Sequence, residues 1–214
     1  MLGTEQEVWL QRALQNSKAR GATWQVLGQQ VLMGKLNIPV IPPEELAQLE
    51  LSEYARPRVE QTQQLAPSGL PSNLDAWDGY PAARERLFDM LTSHATNPIS
   101  LAGDTHNGWA FNLTNQKGEA VGVEWGTPGV SSPGLENYVP LPPEQMQALL
   151  KGASPELAAC DTSQRGWTEV TLTPEAATAQ WRFVSSVTEP TFTATGAALL
   201  IARAGARRLD KSRA

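Results

Sequence analysis

An amphipathic helix followed closely by a short apolar strand occurs twice in the first half of the chain, and this alternation constrains the fold most. The first helix is predicted over residues 5–19, with Thr4 and Glu7 as a capping box and Gly21 as the stop. A buried strand leading into a loop is predicted within residues 23–33. The second helix ends near Ser93, and an apolar strand follows at 99–103. Such alternation predicts layers of helix and sheet, an α/β (mixed α+β) fold.

The second half of the sequence is richer in strand patterns than in helix patterns. A hairpin is predicted over 109–114 and 120–125, and a short helix over 143–150. Further strands are predicted over 167–172, 179–187 and 191–202. The 214 residues are interpreted as one domain over 1–209 with a basic tail at 210–214, within a solvated basic end that starts at Arg203.

Residues 37–75 form a polar excursion rich in Pro and Gln. A short helix is predicted over 43–50, because Pro43 suits a first helical turn. The rest reads as a long surface segment. Segments of this length inside a domain are usually variable insertions or functional lids, and the insertion is the favoured interpretation.

Composition excludes several classes of protein. A single Cys cannot form an internal disulfide. One Cys and 2 His are too few ligands for a Cys/His zinc framework. The net charge of −5 argues against a general nucleic-acid binder. The sequence has no run of about 20 apolar residues that could span a bilayer. Its first residues have neither the basic region nor the apolar region of a signal peptide.

The sharpest candidate site is the sequence Gly-Asp-Thr-His-Asn that follows the apolar strand at 99–103. Asp104 and His106 lie two residues apart and could turn toward one point, where a carboxylate and an imidazole can bind a metal ion. Asn107 could add an amide oxygen or orient a phosphate. Ordinary turn chemistry with a hydrogen-bonded His106 is the competing interpretation.

Other reactive residues have simpler interpretations. His94 ends the second helix, where an imidazole favours the helix dipole. Asp78, with Asp75 three residues earlier, is predicted to cap that helix, an active-site role being the alternative. The serines at 131–132 have no evident partner base, and Cys160 reads as an unreactive thiol in a polar region.

Five segments in this order resemble one family. They are LGTEQ at 2–6 with the Trp-Leu pair that follows it, WQVLGQQV at 24–31, DGYPAARERL at 78–87, GDTH at 103–106 and GTPGVSS at 126–132. From Met1 to about Leu209 the chain resembles the C-terminal half of PhoD-type alkaline phosphatases, in the calcineurin-like metallophosphoesterase superfamily.

The resemblance implies the C-terminal part of a four-layer αββα sandwich. It also implies an exported, periplasmic or extracellular hydrolase of phosphomonoesters and phosphodiesters with two metal ions, iron and calcium. In that family the Gly-Asp-x-His motif supplies late metal ligands, which places Asp104 and His106 in the metal centre and Asn107 beside them. Gln29 or Gln30 lies where related enzymes often place another ligand-bearing loop.

The chain departs from the family pattern in one respect. The family's other ligands are a Cys, an Asp with a nearby Tyr, and an Asn, and they come from motifs that precede the region matched by Met1. Cys160, Asp78 with Tyr80, and Asn107 are not equivalent to them, because they stand in a different order. An incomplete ligand set predicts that the chain is a fragment, inactive by itself, of an active phosphatase.

A non-catalytic, β-rich ligand-binding module is the alternative. It is motivated by the 7 Trp residues, since exposed Trp faces can stack on sugars. Trp109, Trp125, Trp167 and Trp181 fall among apolar neighbours on predicted strands, so they are expected in the core instead.

Overall fold

Helices and strands alternate through the first half of the chain, and the second half consists mainly of strands, as predicted. The structure, a computed structural model, describes residues 1–210. These residues contain five α-helices: α1 (Thr4–Ala19), α2 (Pro43–Leu46), α3 (Ala55–Leu65), α4 (Pro81–His94) and α5 (Pro143–Ala153). They also contain nine strands: β1 (Gln25–Gln29), β2 (Pro98–Ala102), β3 (Gly108–Thr114), β4 (Ala120–Gly126), β5 (Leu157–Asp161), β6 (Gly166–Leu172), β7 (Ala176–Val184), β8 (Ala194–Gly196) and β9 (Leu200–Arg203).

The first sheet has five strands in the order β1-β2-β4-β3-β5. β1, β2 and β4 are parallel neighbours, while β3 runs antiparallel to both β4 and β5. The predicted hairpin is therefore β3 and β4. β5 was not predicted, and it places Cys160 on a strand rather than in a polar loop. Its sequence, Leu-Ala-Ala-Cys-Asp, has little of the β-branched and aromatic content that marks a strand.

The second sheet consists of β6, β7, β8 and β9, with β7 in its middle. The prediction of one strand over 191–202 is wrong, because this segment forms two short strands that both pair with β7. Between them the amide of Ala197 donates to the carbonyl of Trp181 at 2.8 Å, and the segment continues along β7 in the same direction. Along β7 buried and partly exposed residues alternate, so one face of the strand packs inward.

Two apolar clusters define the layers. One joins α1, α4 and α5 to a face of the five-stranded sheet, with Phe88, Phe111 and Leu113 among its most buried members. The other lies between the two sheets and includes Trp125 and Trp181. The described residues thus form successive layers of helices, five-stranded sheet and four-stranded sheet. This is the mixed α/β fold that the sequence predicted.

The Trp residues mostly follow the prediction of a core role. Trp109, Trp125 and Trp181 are buried, but Trp167 is 39% exposed and departs from it. Trp9, on α1, is 68% exposed. The buried Trp residues cannot stack on a ligand at the surface, which removes most of the motive for a Trp-lined binding module.

Both predicted helix caps are wrong. Gly3, not Thr4, precedes α1, and its amide donates to Oε1 of Gln6 at 2.9 Å. Asp78 does not cap α4, because its Oδ2 accepts the amide of Leu36 at 3.0 Å. α4 begins instead with Pro81, which has no N–H that would need a partner in the first turn.

The excursion over residues 37–75 is more ordered than predicted. It contains α2, shorter than the predicted helix, and α3, which was not predicted. Its two ends are joined, since Asn37 forms a β-bridge with Pro71 and the amide of Ser72 donates to the carbonyl of Leu36 at 2.7 Å. The two ends of the segment therefore meet at Leu36 and Ser72, a junction that we call the neck.

The basic end of the chain is not a solvated tail over residues 203–210. Arg207 donates to the carbonyls of Ala95 and Thr96, at 2.7 and 3.1 Å, at the end of α4. Leu209 is buried, and Asp210 pairs with Arg203 at 3.0 Å. The remainder of the predicted tail, 211–214, lies outside the described residues. Among residues 1–210 no helix is long and apolar enough to cross a membrane.

Candidate functional site

The segment that contains Asp104, His106 and Asn107 connects β2 to β3 at the edge of the first sheet where the parallel strands end. The ends of β1 and β4 flank it, because the amide of Gly103 donates to Gln30 at 3.0 Å and the amide of Thr127 donates to Ala102 at 2.9 Å. Ligands of open α/β sheets bind at this edge. The predicted location of the site therefore suits its chemistry.

The imidazole of His106 has a fixed orientation. Its Nδ1 lies 2.8 Å from the carbonyl oxygen of Pro133. Because a carbonyl can only accept, Nδ1 carries the proton, and Nε2 of the neutral ring keeps its lone pair. A histidine that binds a metal ion through one nitrogen usually donates from the other nitrogen in this way.

Asp104 is exposed, and its Oδ2 accepts from Nε2 of Gln30 at 3.1 Å. Asp104 and His106 both have left-handed backbones, with φ of 60° and 62°. This left-handed conformation is unfavourable for residues other than glycine, and residues that adopt it concentrate at functional sites. Gln29 differs from Gln30: it bonds Ser100 at 2.8 Å and Trp77 at 2.7 Å inside the protein.

Asn107 is buried and belongs to the support of the site. Its Oδ1 accepts the amide of Leu135 at 3.0 Å, whereas its Nδ2 has no hydrogen-bond partner. That nitrogen faces Gly134, where an added Cβ would lie 2.6 Å from it and 2.6 Å from Oε2 of Glu136. An added side chain would have to displace the ends of these side chains, so the loop after β4 packs directly against Asn107.

Arg165 was not predicted as a site residue, although it holds His106 from behind. Its Nη1 donates to the carbonyl of His106 at 3.1 Å, and its Nη2 forms an ion pair with Glu136. The amide of Gly129 donates to the same carbonyl at 3.0 Å. Arg165 is 29 positions from Glu136 and 59 positions from His106 in the sequence, so no local pattern could have indicated these contacts.

Three carboxylates that the sequence analysis did not connect fix the segment after β1. Glu124, Glu156 and Asp78 accept the four successive amides of residues 33–36. Arg84 donates to the carbonyl of Met33 at 2.6 Å and pairs with Glu156 at 2.7 Å. Burial raises the pKa of Glu124, which is fully enclosed, and also that of Asp78. We call these four side chains the carboxylate clamp.

The remaining candidates lie away from the site or are unreactive. His94 is the last residue of α4, as predicted, and its Nε2 lies 3.3 Å from Nε2 of Gln11. Burial raises the pKa of the Cys160 thiol to about 12, which suppresses the reactive thiolate.

The residues present fit one part of a metal centre. Asp104 offers a carboxylate and His106 an oriented Nε2. Within residues 1–210 no cluster of three or more His, Cys, Asp or Glu could hold an ion. A hydrolytic metal pair needs more donors than these two, including a bridging group.

Comparison with known proteins identifies the family. The family model described as PhoD-like phosphatase matches residues 1–181. The chain belongs to the PhoD-like phosphatase family. It is 30% identical over 195 residues to alkaline phosphatase D of Bacillus subtilis (strain 168), which covers 89% of this chain and 28% of that protein.

A solved structure described as the structure of PhoD shares the fold. It superposes with a TM-score of 0.69 and 26% identity, over 99% of this chain and 35% of that one. The PhoD-like chain therefore spans about a third of the length of these relatives, or less. These matches confirm the family that the sequence resembles, and the structural match confirms the mixed α/β fold.

Proposed function

We propose that this chain is the C-terminal portion of a phosphoric ester hydrolase that cleaves phosphomonoesters or phosphodiesters. The observation that carries the proposal is the orientation of His106. In a PhoD-like chain, beside Asp104 and at the edge of the sheet where the parallel strands end, its Nδ1 donates to Pro133 and its Nε2 keeps a lone pair that can bind a metal ion. The left-handed backbones of Asp104 and His106 support the same role, because such backbones concentrate at functional sites.

The proposed enzyme uses two metal ions, iron and calcium by family resemblance, and Asp104 and His106 are proposed as ligands. When bound, such ions activate a water molecule and neutralise the phosphoryl oxygens. In this chain Gln30 orients the carboxylate of Asp104, and Pro133 keeps the proton on Nδ1 of His106. Asn107 secures the loop that carries Pro133 through its bond to Leu135.

The missing donors are proposed to come from residues outside this chain, so the chain alone is expected to be inactive. An exported, periplasmic or extracellular location is proposed from the family resemblance. The substrate is proposed to be a phosphoester rather than a nucleic-acid surface, in keeping with the net charge of −5.

The test compares His106→Ala, Asp104→Asn and His94→Ala in the full-length protein. Loss of an oriented outer-shell group costs about 10–100-fold in activity or metal affinity, so loss of a ligand should cost at least about 100-fold. We expect that loss for the first two variants in hydrolysis of p-nitrophenyl phosphate, with reduced metal content by mass spectrometry. His94→Ala is the matched control and should retain both.

Unchanged hydrolysis and metal content in His106→Ala would remove His106 from the centre. The 214-residue chain is assayed beside the full-length protein with equal metal supplied. Equal activity per molecule would disprove the prediction that the chain is incomplete.

A further inference from the structure

A cavity of about 430 Å³ opens beside the candidate site. Asp104, Thr105, His106 and Asn107 line one part of it. The rest of the lining is mostly apolar and includes Ile41, Val59, Leu135, Met146 and Leu150, together with Ser72, Asn73 and polar residues of α3. Its volume falls in the range of about 300–1,000 Å³ that is usual for small-molecule sites.

One wall belongs to the excursion and is a regular helical face. α3 contributes residues 55, 58, 59, 62 and 63 to the cavity, which is the spacing of a single helix face. Gln63 pins this helix to the preceding segment, accepting the amide of Ile41 at 2.8 Å and donating to Pro39 at 3.0 Å. The wall is therefore built from fixed elements rather than from a loose loop.

Two of the three polar side chains on this wall already have partners within the protein, and the third, Thr62, is exposed. Gln63 uses its amide in those two bonds. Arg58 donates to the carbonyl of Tyr54 at 3.1 Å, and its guanidinium lies 3.9 Å from the centre of the Tyr54 ring. A sugar or another polyhydroxyl group placed here would exchange water for few partners, which is unfavourable. An alkyl or aryl group has no hydrogen bonds with water to lose, and its binding would remove apolar surface from water.

We infer that this cavity binds the apolar alcohol portion, alkyl or aryl, of a phosphoester whose phosphoryl group lies at Asp104 and His106. The inference rests on the proposed function and adds its substrate class. The composition of the lining carries it, because the candidate metal ligands and a mostly apolar set of side chains border the same cavity. The excursion then acts as a specificity element, which goes beyond both the variable insertion and the lid considered from sequence.

Neutral straight-chain alcohols test the pocket without metal or hydrolysis, because they represent the alcohol portion alone. The series from 1-butanol to 1-heptanol is titrated into the 214-residue chain and followed by amide NMR. Affinity should rise about fourfold with each added methylene, the value for moving a methylene out of water. The shifted amides should lie in α3 and in residues 104–107.

Two exposed neighbours on α3 supply a matched pair of variants. Thr62 lines the cavity, whereas Gln61 does not. Thr62→Trp should narrow the cavity and weaken 1-heptanol binding at least about tenfold, equivalent to about two methylenes. Gln61→Trp adds the same side chain to the same helix and should bind like wild type.

The inference is overturned if affinity does not depend on chain length, if the shifted amides lie elsewhere, or if both Trp variants bind alike. Each of these results is independent of phosphatase activity. The proposed function is judged separately by the His106→Ala assay in the full-length protein, so failure of one can be told from failure of the other.

Discussion

His106 is held by contacts from three directions, and most of them involve backbone atoms. Pro133 accepts from its ring, while Gly129 and Arg165 donate to its carbonyl. These contacts keep a residue with a φ of 62° in a conformation it would otherwise leave. Arg165 is consequently a positioning residue, whose own charge is balanced by Glu136.

Replacing Arg165 by Met should loosen His106 and destabilise the fold. Arg165 is buried and Glu136 is partly exposed, so loss of the charged hydrogen bonds is expected to cost about 2 kcal/mol in the free energy of unfolding. Urea unfolding measures that cost, and ¹⁵N NMR of the imidazole reports whether the Nδ1–H form persists. Arg182→Met removes an exposed pair with Glu169 and should cost less than about 1 kcal/mol. A His106 spectrum that Arg165→Met leaves unchanged would contradict the positioning role.

Cys160 should be almost inert in the folded protein. Burial raises the pKa of its thiol from the ordinary value of 9.0 to about 12. The thiolate population at about pH 8 is then lowered by roughly three orders of magnitude. Reaction with a coloured disulfide reagent should be at least about a hundredfold slower in buffer than in denaturant. Equal rates would mean that the thiol is exposed and reactive.

The segment after β1 depends on the carboxylate clamp, and the excursion depends on that segment. Removing Arg84 leaves Glu156 as a buried, unpaired carboxylate, which typically costs about 3–5 kcal/mol. Arg84→Met should therefore destabilise strongly, and hydrogen exchange should quicken at residues 33–36 and at the neck near Ser72. Arg84→Met combined with Glu156→Met removes both charges and should recover part of the loss. A double variant whose free energy of unfolding is no higher than that of Arg84→Met would contradict this account.

The elements that sequence predicted well are those with strong local periodicity. α1 and α4 carry apolar stripes, and β3 and β4 carry continuous apolar runs around a turn. α3 was missed because its buried positions are only Ala55 and Val59 in a polar helix. β5 gains its place from pairing with β3, a contact distant in sequence, so its weak propensity was misleading.

The same distinction applies to the candidate site. Asp104 and His106 could be proposed from sequence because strand ends collect reactive side chains, a rule that local sequence can express. Their supports were not found, because Arg165, Glu136 and Pro133 reach the loop only through the fold. Asp78 was given a local role as a cap, yet its partner Leu36 lies 42 positions away.

Glu124 lies at the centre of the packed layers, on a strand of the first sheet whose Val121, Val123 and Trp125 are buried. It is fully buried and accepts hydrogen bonds from Met33, Gly34 and Ser100. These bonds and the charge of Arg84 lower its pKa, but burial is the larger effect and raises the pKa above the ordinary value of 4.5. Stability of the protein as a whole should therefore depend on pH through this group.

A carboxyl group whose pKa is higher in the folded state contributes its full stability below the unfolded pKa. That contribution is lost as pH rises through the folded pKa. Between about pH 4 and pH 8, the wild-type free energy of unfolding should therefore fall relative to that of Glu124→Gln, which cannot ionise. The variant should be less stable at every pH, since its NH₂ group faces backbone donors, but its deficit should shrink as pH rises.

Urea unfolding at successive pH values measures this deficit. Asp78, whose pKa is also raised by burial, is present in both proteins and cancels in the comparison. A deficit that grows with pH would contradict this prediction. It would mean that the hydrogen bonds from residues 33 and 34 outweigh burial, so that the pKa of Glu124 is lower in the folded protein than in the unfolded chain.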